Sequence, residues 1–284
     1  MNTSYFHCGR YRLPINRAGK PLIMGILNVT PDSFSDGGRY QSLESALSHA
    51  EQMIEAGVDI IDIGAESTRP GAMPLPLDEE LRRILPVVFA LRDCGKPLSI
   101  DTYKPAVMAE SLAAGADMIN DVHGLQHPNA LTTIKNSDCG LCIMHMRNDP
   151  LTMQHDPVYH DAVAEVAAFL QQRVEACITA GIARERLCVD PGIGFGKTLP
   201  NNLELIKAMA KLNTSFDLPV LAGMSRKSMI GLLTGKSVEH RLAGSLGAAL
   251  AAAMNGAAIV RVHDVAETVD ALVVFRAAMR EVVL

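Results

Sequence analysis

No stretch of this 284-residue sequence stays apolar for the ~18 residues that a membrane span requires, so a soluble protein is expected. A basic face is missing as well. The 26 Lys and Arg stand against 31 Asp and Glu, and the formal net charge of -5 excludes the positive surface that nucleic acid or another polyanion would need. No Pro/Ser-rich linker or run of like charge divides the chain, and no solenoid-type repeat is visible. The opening segment, MNTSYFHCGRYRLPINRAGK, has no continuous apolar core behind its charges, which predicts a cytoplasmic protein without a secretory signal. Cysteine is sparse, with six scattered residues that suggest no disulfide framework. Cys139 and Cys142 have the C-x-x-C spacing of a redox or zinc site, but they lead into the apolar run LCIMHM rather than opening a helix, so buried reduced thiols are expected.

What the sequence does contain is a rhythm. Short apolar runs end in a polar residue: ILN at Asn28, SID at Asp101, MIND at Asn120, LCVD at Asp190 and VRVH at His263. Strands are predicted near 22–27, 58–63, 97–101, 117–120, 141–145, 187–190, 219–223 and 258–262. They show little strict alternation, the mark of strands covered on both faces and hence of a parallel sheet. Between them lie helical patterns such as SLESALSHAEQMIEAG and DAVAEVAAFLQQRVEACITAG, closed by Gly57, Gly115, Gly181 and Gly256 in the left-handed conformation. Pro86 falls inside DEELRRILPVVFALRDCG and is expected to kink that helix or start a new turn.

Alternating strands and helices over a length near the roughly 250 residues typical of the fold predict an α/β protein. The expected architecture is a (β/α)8 TIM barrel in one domain, 1–284, with residues 1–20 as a hairpin-like leader packed outside it. Reacting groups in such a barrel sit at the carboxyl ends of the strands. Two long Gly/Pro-rich loops, Thr30 to Gln41 and Gly64 to Leu77, are expected to cover a substrate there.

The segment DPGIGFGKT ends like a phosphate-binding loop, but Pro191 stands where that pattern needs its first glycine. What remains is a strand ending at Asp190 and a turn of Gly192, Gly194 and Gly196, with Phe195 as an aromatic wall beside a flat ligand. Asp101, Asn120 and Asp190, converging at the mouth, would accept from the amino and ring N–H groups of a fused heterocycle. Two acids could instead bind a divalent metal or serve as general acid and base. Lys227 favours the heterocycle, since its cation would donate to a ring carbonyl or nitrogen and depress the Asp pKa values. A Schiff-base role for Lys227 needs a desolvated amine, whereas Arg226 and the mouth carboxylates are expected to keep it protonated. Arg261 and His263, just before a helix start, form a candidate phosphate pocket over which Arg69 could close. His123 and His127 have zinc-helix spacing, but Gly124 lies between them and Pro128 follows, so no zinc site is expected. His145, His155 and His160 carry no assigned role.

These residues sit in MGILNVTPDSFSDGG (24–38), GAESTRPGA (64–72), SIDTYKP (99–105), IND (119–121), MHM (144–146), DPGIGFGK (190–197), GMSRKSMIG (223–231) and RVHDV (261–265). In these motifs the chain resembles, nearly end to end, the dihydropteroate synthase family of pterin-binding barrels. The resemblance implies that Asp101, Asn120, Asp190 and Lys227 hold a pterin, with Met144 packed against it. It implies that Asn28 binds Mg2+ and a diphosphate, helped by Arg69, Arg261 and His263. Phe34, Thr68, Pro70, Phe195 and Ser225 would shape a pocket for 4-aminobenzoate, which sulfonamides imitate in this family.

The implied reaction joins 6-hydroxymethyl-7,8-dihydropterin diphosphate to 4-aminobenzoate through a cationic methylene, and homodimers are common in the family. Three departures from its usual pattern stand out: Ala65 in GAES, Tyr103 after SIDT, and Asn148 where Gly is usual after MHM. Of these, Tyr103 is the one expected to reshape a loop. Two rival readings remain: a pterin-binding methyltransferase, which would not need Arg69, Arg261 and His263, and a catalytically silent pterin-binding paralogue.

Overall fold

The computed structural model describes residues 4–15, 20–29, 39–66, 73–147, 153 and 157–279. The chain opens with an antiparallel hairpin, β1 (Ser4–Cys8) and β2 (Tyr11–Ile15). Eight strands follow: β3 (Leu22–Asn28), β4 (Ile60–Gly64), β5 (Leu98–Asp101), β6 (Met118–Asp121), β7 (Gly140–Met144), β8 (Leu187–Asp190), β9 (Leu221–Gly223) and β10 (Ile259–Val262). Helices alternate with them: α1 (Arg39–Glu55), α2 (Leu77–Leu91), α3 (Pro105–Ala114), α4 (Ala130–Ile134), α5 (Ala162–Thr179), α6 (Leu199–Phe216), α7 (Ser228–Thr234), α8 (Leu242–Met254) and α9 (Val265–Met279).

The strands pair in parallel in the order β8-β7-β6-β5-β4-β3-β10-β9. A parallel bridge between Val189 and Val220, with Val189 N donating to Pro219 O at 3.0 Å, brings β8 against the entry to β9 and closes the ring. This is the (β/α)8 barrel expected from the sequence, with each strand edge within two residues of its predicted position.

One local device recurs. After α1, Gly57 takes φ +92, its N–H donates to Ile54 O at 3.0 Å, and Val58 N donates to Met53 O at 3.0 Å. The same pair of bonds ends α3 at Gly115, α5 at Gly181 and α8 at Gly256. A left-handed residue satisfies the last helical carbonyls while reversing the chain into the next strand. Pro86, the expected site of a kink or a new turn, does not end the helix, and α2 runs through it. Pro86 lies on the exposed face, so the carbonyl that loses its partner meets solvent, while Ile84, Val87, Val88 and Leu91 stay buried opposite.

Strand parity divides the core in two. Outward residues such as Ile61, Ile63, Ile100, Ile119, Leu141, Ile143 and Val189 pack against the helices. Inward residues Leu22, Met24, Ile60, Met118, Cys142, Cys188 and Leu221 pack with Phe6, Cys8 and Ile15 of the hairpin. The leader is therefore a plug in the amino-terminal end of the barrel rather than an external flap, because only there can its apolar face meet another. Gly9, at φ +56, turns it so closely over Asp117 that a Cβ would lie 2.8 Å from that residue's Cα. Arg10 then donates to both Asp117 carboxylate oxygens, at 2.9 and 3.1 Å. All six cysteines are free thiols and all but Cys94 are buried, Cys139 and Cys142 included. Among the described residues no helix is long and apolar enough to cross a membrane.

Phe6 is fully buried in the plug. Phe6→Ala is expected to lower unfolding free energy by about 3–5 kcal/mol in urea titration, the usual cost of emptying an aromatic core site.

Candidate active site

Above the plug the inward positions turn polar. Two residues beyond Ile60, Met118 and Ile259 stand Asp62, Asn120 and Arg261, while Asp101 follows Ser99 on β5. The Arg261 guanidinium donates from Nε to Asp62 Oδ2 at 2.6 Å and from Nη2 to Asp101 Oδ2 at 2.7 Å. Asn120 Nδ2 donates to the same Asp62 oxygen at 3.1 Å. The Asp62 side chain is wholly buried. Asp62 Oδ1, Ser99 Oγ and Asp101 Oδ1 are buried with no hydrogen-bond partner among the described residues. Buried polar atoms are rarely left so, and the two empty carboxylate oxygens are what a ligand rich in N–H groups would satisfy.

The sequence reading missed Asp62, although its parity with Gly64 in the run VDIIDIG was a usable signal. It also set Arg261 toward an anion, whereas the guanidinium reaches across the interior to two carboxylates. Opposite charges that share a dry site pair with each other before they meet solvent.

Asp190 ends β8 and turns back on its own loop, with Oδ1 accepting from Gly192 N at 2.6 Å. Lys227, just before α7, donates to Ile193 O and lies 4.2 Å from the Phe195 ring centroid, a cation over an aromatic face. Gly194, at φ +86, leaves no room for a side chain: a Cβ would stand 2.9 Å from Lys227 Cδ. Arg226, expected beside Lys227, instead pairs with Asp264.

Burial lifts Asp101 to about 7 against the pull of Arg261, and lifts Asp190 against Lys227. The same burial draws Lys227 down to about 8 against the pull of Asp190. The depression expected for the carboxyls is thus reversed, because desolvation outweighs the neighbouring cations.

Met144 and Phe195 share an apolar cluster with Val122, Met146 and Met153, against which Tyr103 packs. Tyr103 stacks on His123, with ring centroids 4.2 Å apart, and donates to Glu66 Oε1 at 2.9 Å, while Lys104 bridges Glu66 and Glu80. Here the departure at Tyr103 ties the loop after β5 to the end of β4. Ser225 Oγ accepts from His263 N at 3.3 Å and lies 3.0 Å from His263 Nδ1, so it orients that ring. Asn28 and His263 line a cavity of about 240 Å3 with Ser45 and His49 of α1, two residues that the strand-end pattern could not indicate.

Phe34, Thr68, Arg69 and Pro70, with residues 30–38 and 67–72 of the two long loops, Asn148 and His155, lie outside the described residues. Among the described residues no group of three or more His, Cys, Asp or Glu is arranged to hold a metal ion.

Residues 24–263 match the family described as pterin binding enzyme. The chain is 50% identical over 260 residues to dihydropteroate synthase of Escherichia coli (strain K12), covering 91% of this chain and 92% of that protein. Its fold is similar to Burkholderia cenocepacia dihydropteroate synthase complexed with 7,8-dihydropteroate, at 50% identity, 97% and 96% coverage of the two chains and a TM-score of 0.88. It is also similar to Xanthomonas albilineans dihydropteroate synthase with 4-aminobenzoic acid, at 46% identity, 99% and 100% coverage and a TM-score of 0.91.

Asp62→Ala strands Arg261 with one carboxylate in a dry interior and is expected to destabilise the fold by about 3 kcal/mol. Adding Arg261→Met should recover most of that loss in the same denaturant titration; a strictly additive double variant would show that the two side chains are uncoupled.

Proposed function

Since the chain belongs to the dihydropteroate synthase family of pterin binding enzymes, we propose that it joins 6-hydroxymethyl-7,8-dihydropterin diphosphate to 4-aminobenzoate, releasing pyrophosphate and 7,8-dihydropteroate. The observation that carries this reading is the pair of buried, unpartnered carboxylate oxygens of Asp62 and Asp101 beside Asn120, Asp190 and Lys227. Its donor and acceptor pattern matches an aminopterin ring, and a relative 50% identical has been solved with 7,8-dihydropteroate bound.

In this mechanism Asp101, Asn120 and Asp190 accept from the ring and its amine, Lys227 donates to it, and Met144 packs against its face. The carbon–oxygen bond to the diphosphate breaks heterolytically, leaving a methylene cation conjugated with the ring. The Asp101 and Asp190 carboxylates favour that positive charge, and in a dry site fixed charges act at nearly full strength. The arylamine lone pair then attacks the methylene and loses a proton. Asn28 and His263, the latter steadied by Ser225, would meet the departing diphosphate in their shared cavity. Arg261 would join them from its place beside Asp101. Phe34, Thr68, Pro70, Phe195 and Ser225 keep their proposed roles around 4-aminobenzoate, and Arg69 around the diphosphate.

Mg2+ fits this site as a companion of the substrate. One neutral oxygen, that of Asn28, beside an open cavity suits an ion that draws most of its ligands from phosphates and water. When bound there it would offset the negative charge of the leaving group. A homodimer is proposed too, supported by exposed Leu232, Leu233, Met254, Val273 and Val274 across α7 to α9. Six free thiols accord with the cytoplasm.

Pyrophosphate release from the pterin diphosphate is expected to require both 4-aminobenzoate and Mg2+; release that ignores both would reject the reading. Pterin affinity should peak between about 7, above which Asp101 is ionised, and about 8, below which Lys227 keeps its proton. Calorimetric titrations across pH check this, with Asp101→Asn removing the acid-side loss. Lys227→Ala is expected to weaken pterin binding at least about tenfold with little change in unfolding free energy, since a charged hydrogen bond is worth ~1.5–3 kcal/mol.

A further inference from the structure

The proposed reaction leaves one part of DPGIGFGKT without a role. Lys197 does not face the mouth: it is 3% exposed, its amine is enclosed by the protein's own acceptors, and burial draws it down to about 7 against the pull of Asp190. It donates to the carbonyls of Gly192 and Phe195, each at 2.9 Å, and to His145 O at 3.4 Å. His145 Nδ1 lies 3.0 Å away. Burial and Lys197 together hold His145 down at about 3, so its ring is neutral and that nitrogen can accept.

Among the described residues no carboxylate lies within ion-pair distance of Lys197. A phosphate-binding loop turns its N–H groups onto an anion. This segment does the reverse and turns carbonyls onto an amine donor. Gly192, Gly194 and Gly196 have φ +69, +86 and +61, which lets those carbonyls converge. Gly192 runs so close to the exit of β7 that a Cβ would meet His145 O at 1.8 Å. Asn202 Oδ1 accepts from Gly194 N at 2.7 Å, and the Tyr159 hydroxyl donates to Gly196 O at 2.9 Å.

The turn held in this way carries the Phe195 ring and the Ile193 carbonyl, the two groups against which Lys227 rests. We propose that Lys197 is a positioning residue, a buried amine that never touches substrate and fixes the Gly192–Gly196 turn so that Phe195 and Lys227 stand ready at the substrate subsite. The role attributed to that subsite rests on the synthase reading above.

Lys197→Met keeps the length of the side chain and removes the amine. In steady-state assays of pyrophosphate release, the KM values for 4-aminobenzoate and for the pterin diphosphate should rise at least tenfold. At saturation kcat should fall less than threefold, because the reacting atoms keep their own groups. In a Phe195→Ala background the same change should add less than twofold to either KM. Hydrogen exchange of amides 192–196 should accelerate at least tenfold in Lys197→Met while β3 and β10 keep their protection.

Unchanged KM values, full additivity with Phe195→Ala, or unaltered exchange would each overturn the proposal. If Lys197→Met does not fold, Tyr159→Phe and Asn202→Ala release the same turn at Gly196 and Gly194, and unchanged KM values in both would overturn it equally. An inactive wild-type protein would sink the synthase reading by itself, and the exchange measurement would still decide for or against Lys197.

Discussion

A β-strand turns successive side chains to opposite faces, and in a closed ring one of those faces has no access to solvent except at the two ends. Every feature of this molecule follows from that constraint. The outward positions face helices and are apolar except for Asp121, which caps the backbone of its own loop at His123 and Leu125. The inward positions must fill a narrow cylinder, and they do so in layers, with Phe6 and its neighbours stopping the lower end and polar groups taking over above. Because the hairpin fills the lower end, the polar layer lies toward the upper one.

The upper layer concentrates charge in a dry place. Asp62 and Asp101 share the Arg261 guanidinium, and Asp190 stands within the field of Lys227, so acids and bases compensate one another at short range. A core of such groups gains little stability, since removing charges from water costs about as much as their pairing returns. What it offers is orientation. Dipoles and charges that are already aligned need no rearrangement when charge develops on a bound molecule, which is how preorganised sites lower barriers. The unpartnered oxygens of Asp62 and Asp101 are the part of this cost that a ligand can relieve.

Much of this was legible in one dimension. The helix-closing glycines at 57, 115, 181 and 256 were readable because the left-handed ending depends on one residue type and its neighbours alone. Strand positions were readable because burial on both faces demands an unbroken apolar run. Asp101, Asn120 and Asp190 were readable because a polar residue at the end of such a run has one place to go. Asp62 was not, because it stands inside its strand rather than at its end. The direction of Arg261 was not, because a guanidinium chooses among carboxylates that are distant in sequence and adjacent only across the barrel. Lys197 was read only as the end of a failed phosphate motif, since nothing local indicates that three carbonyls will close around it.

Local chemistry and periodicity by themselves determined the barrel, its strand boundaries, the end at which chemistry occurs and the family resemblance, because these depend on short stretches whose burial or turn geometry admits few alternatives. Tertiary structure decided which charges pair, which face solvent and which way each pKa moves. Those outcomes depend on distances between strands and on how much water the closed interior excludes, and neither quantity is carried by any short segment of the chain.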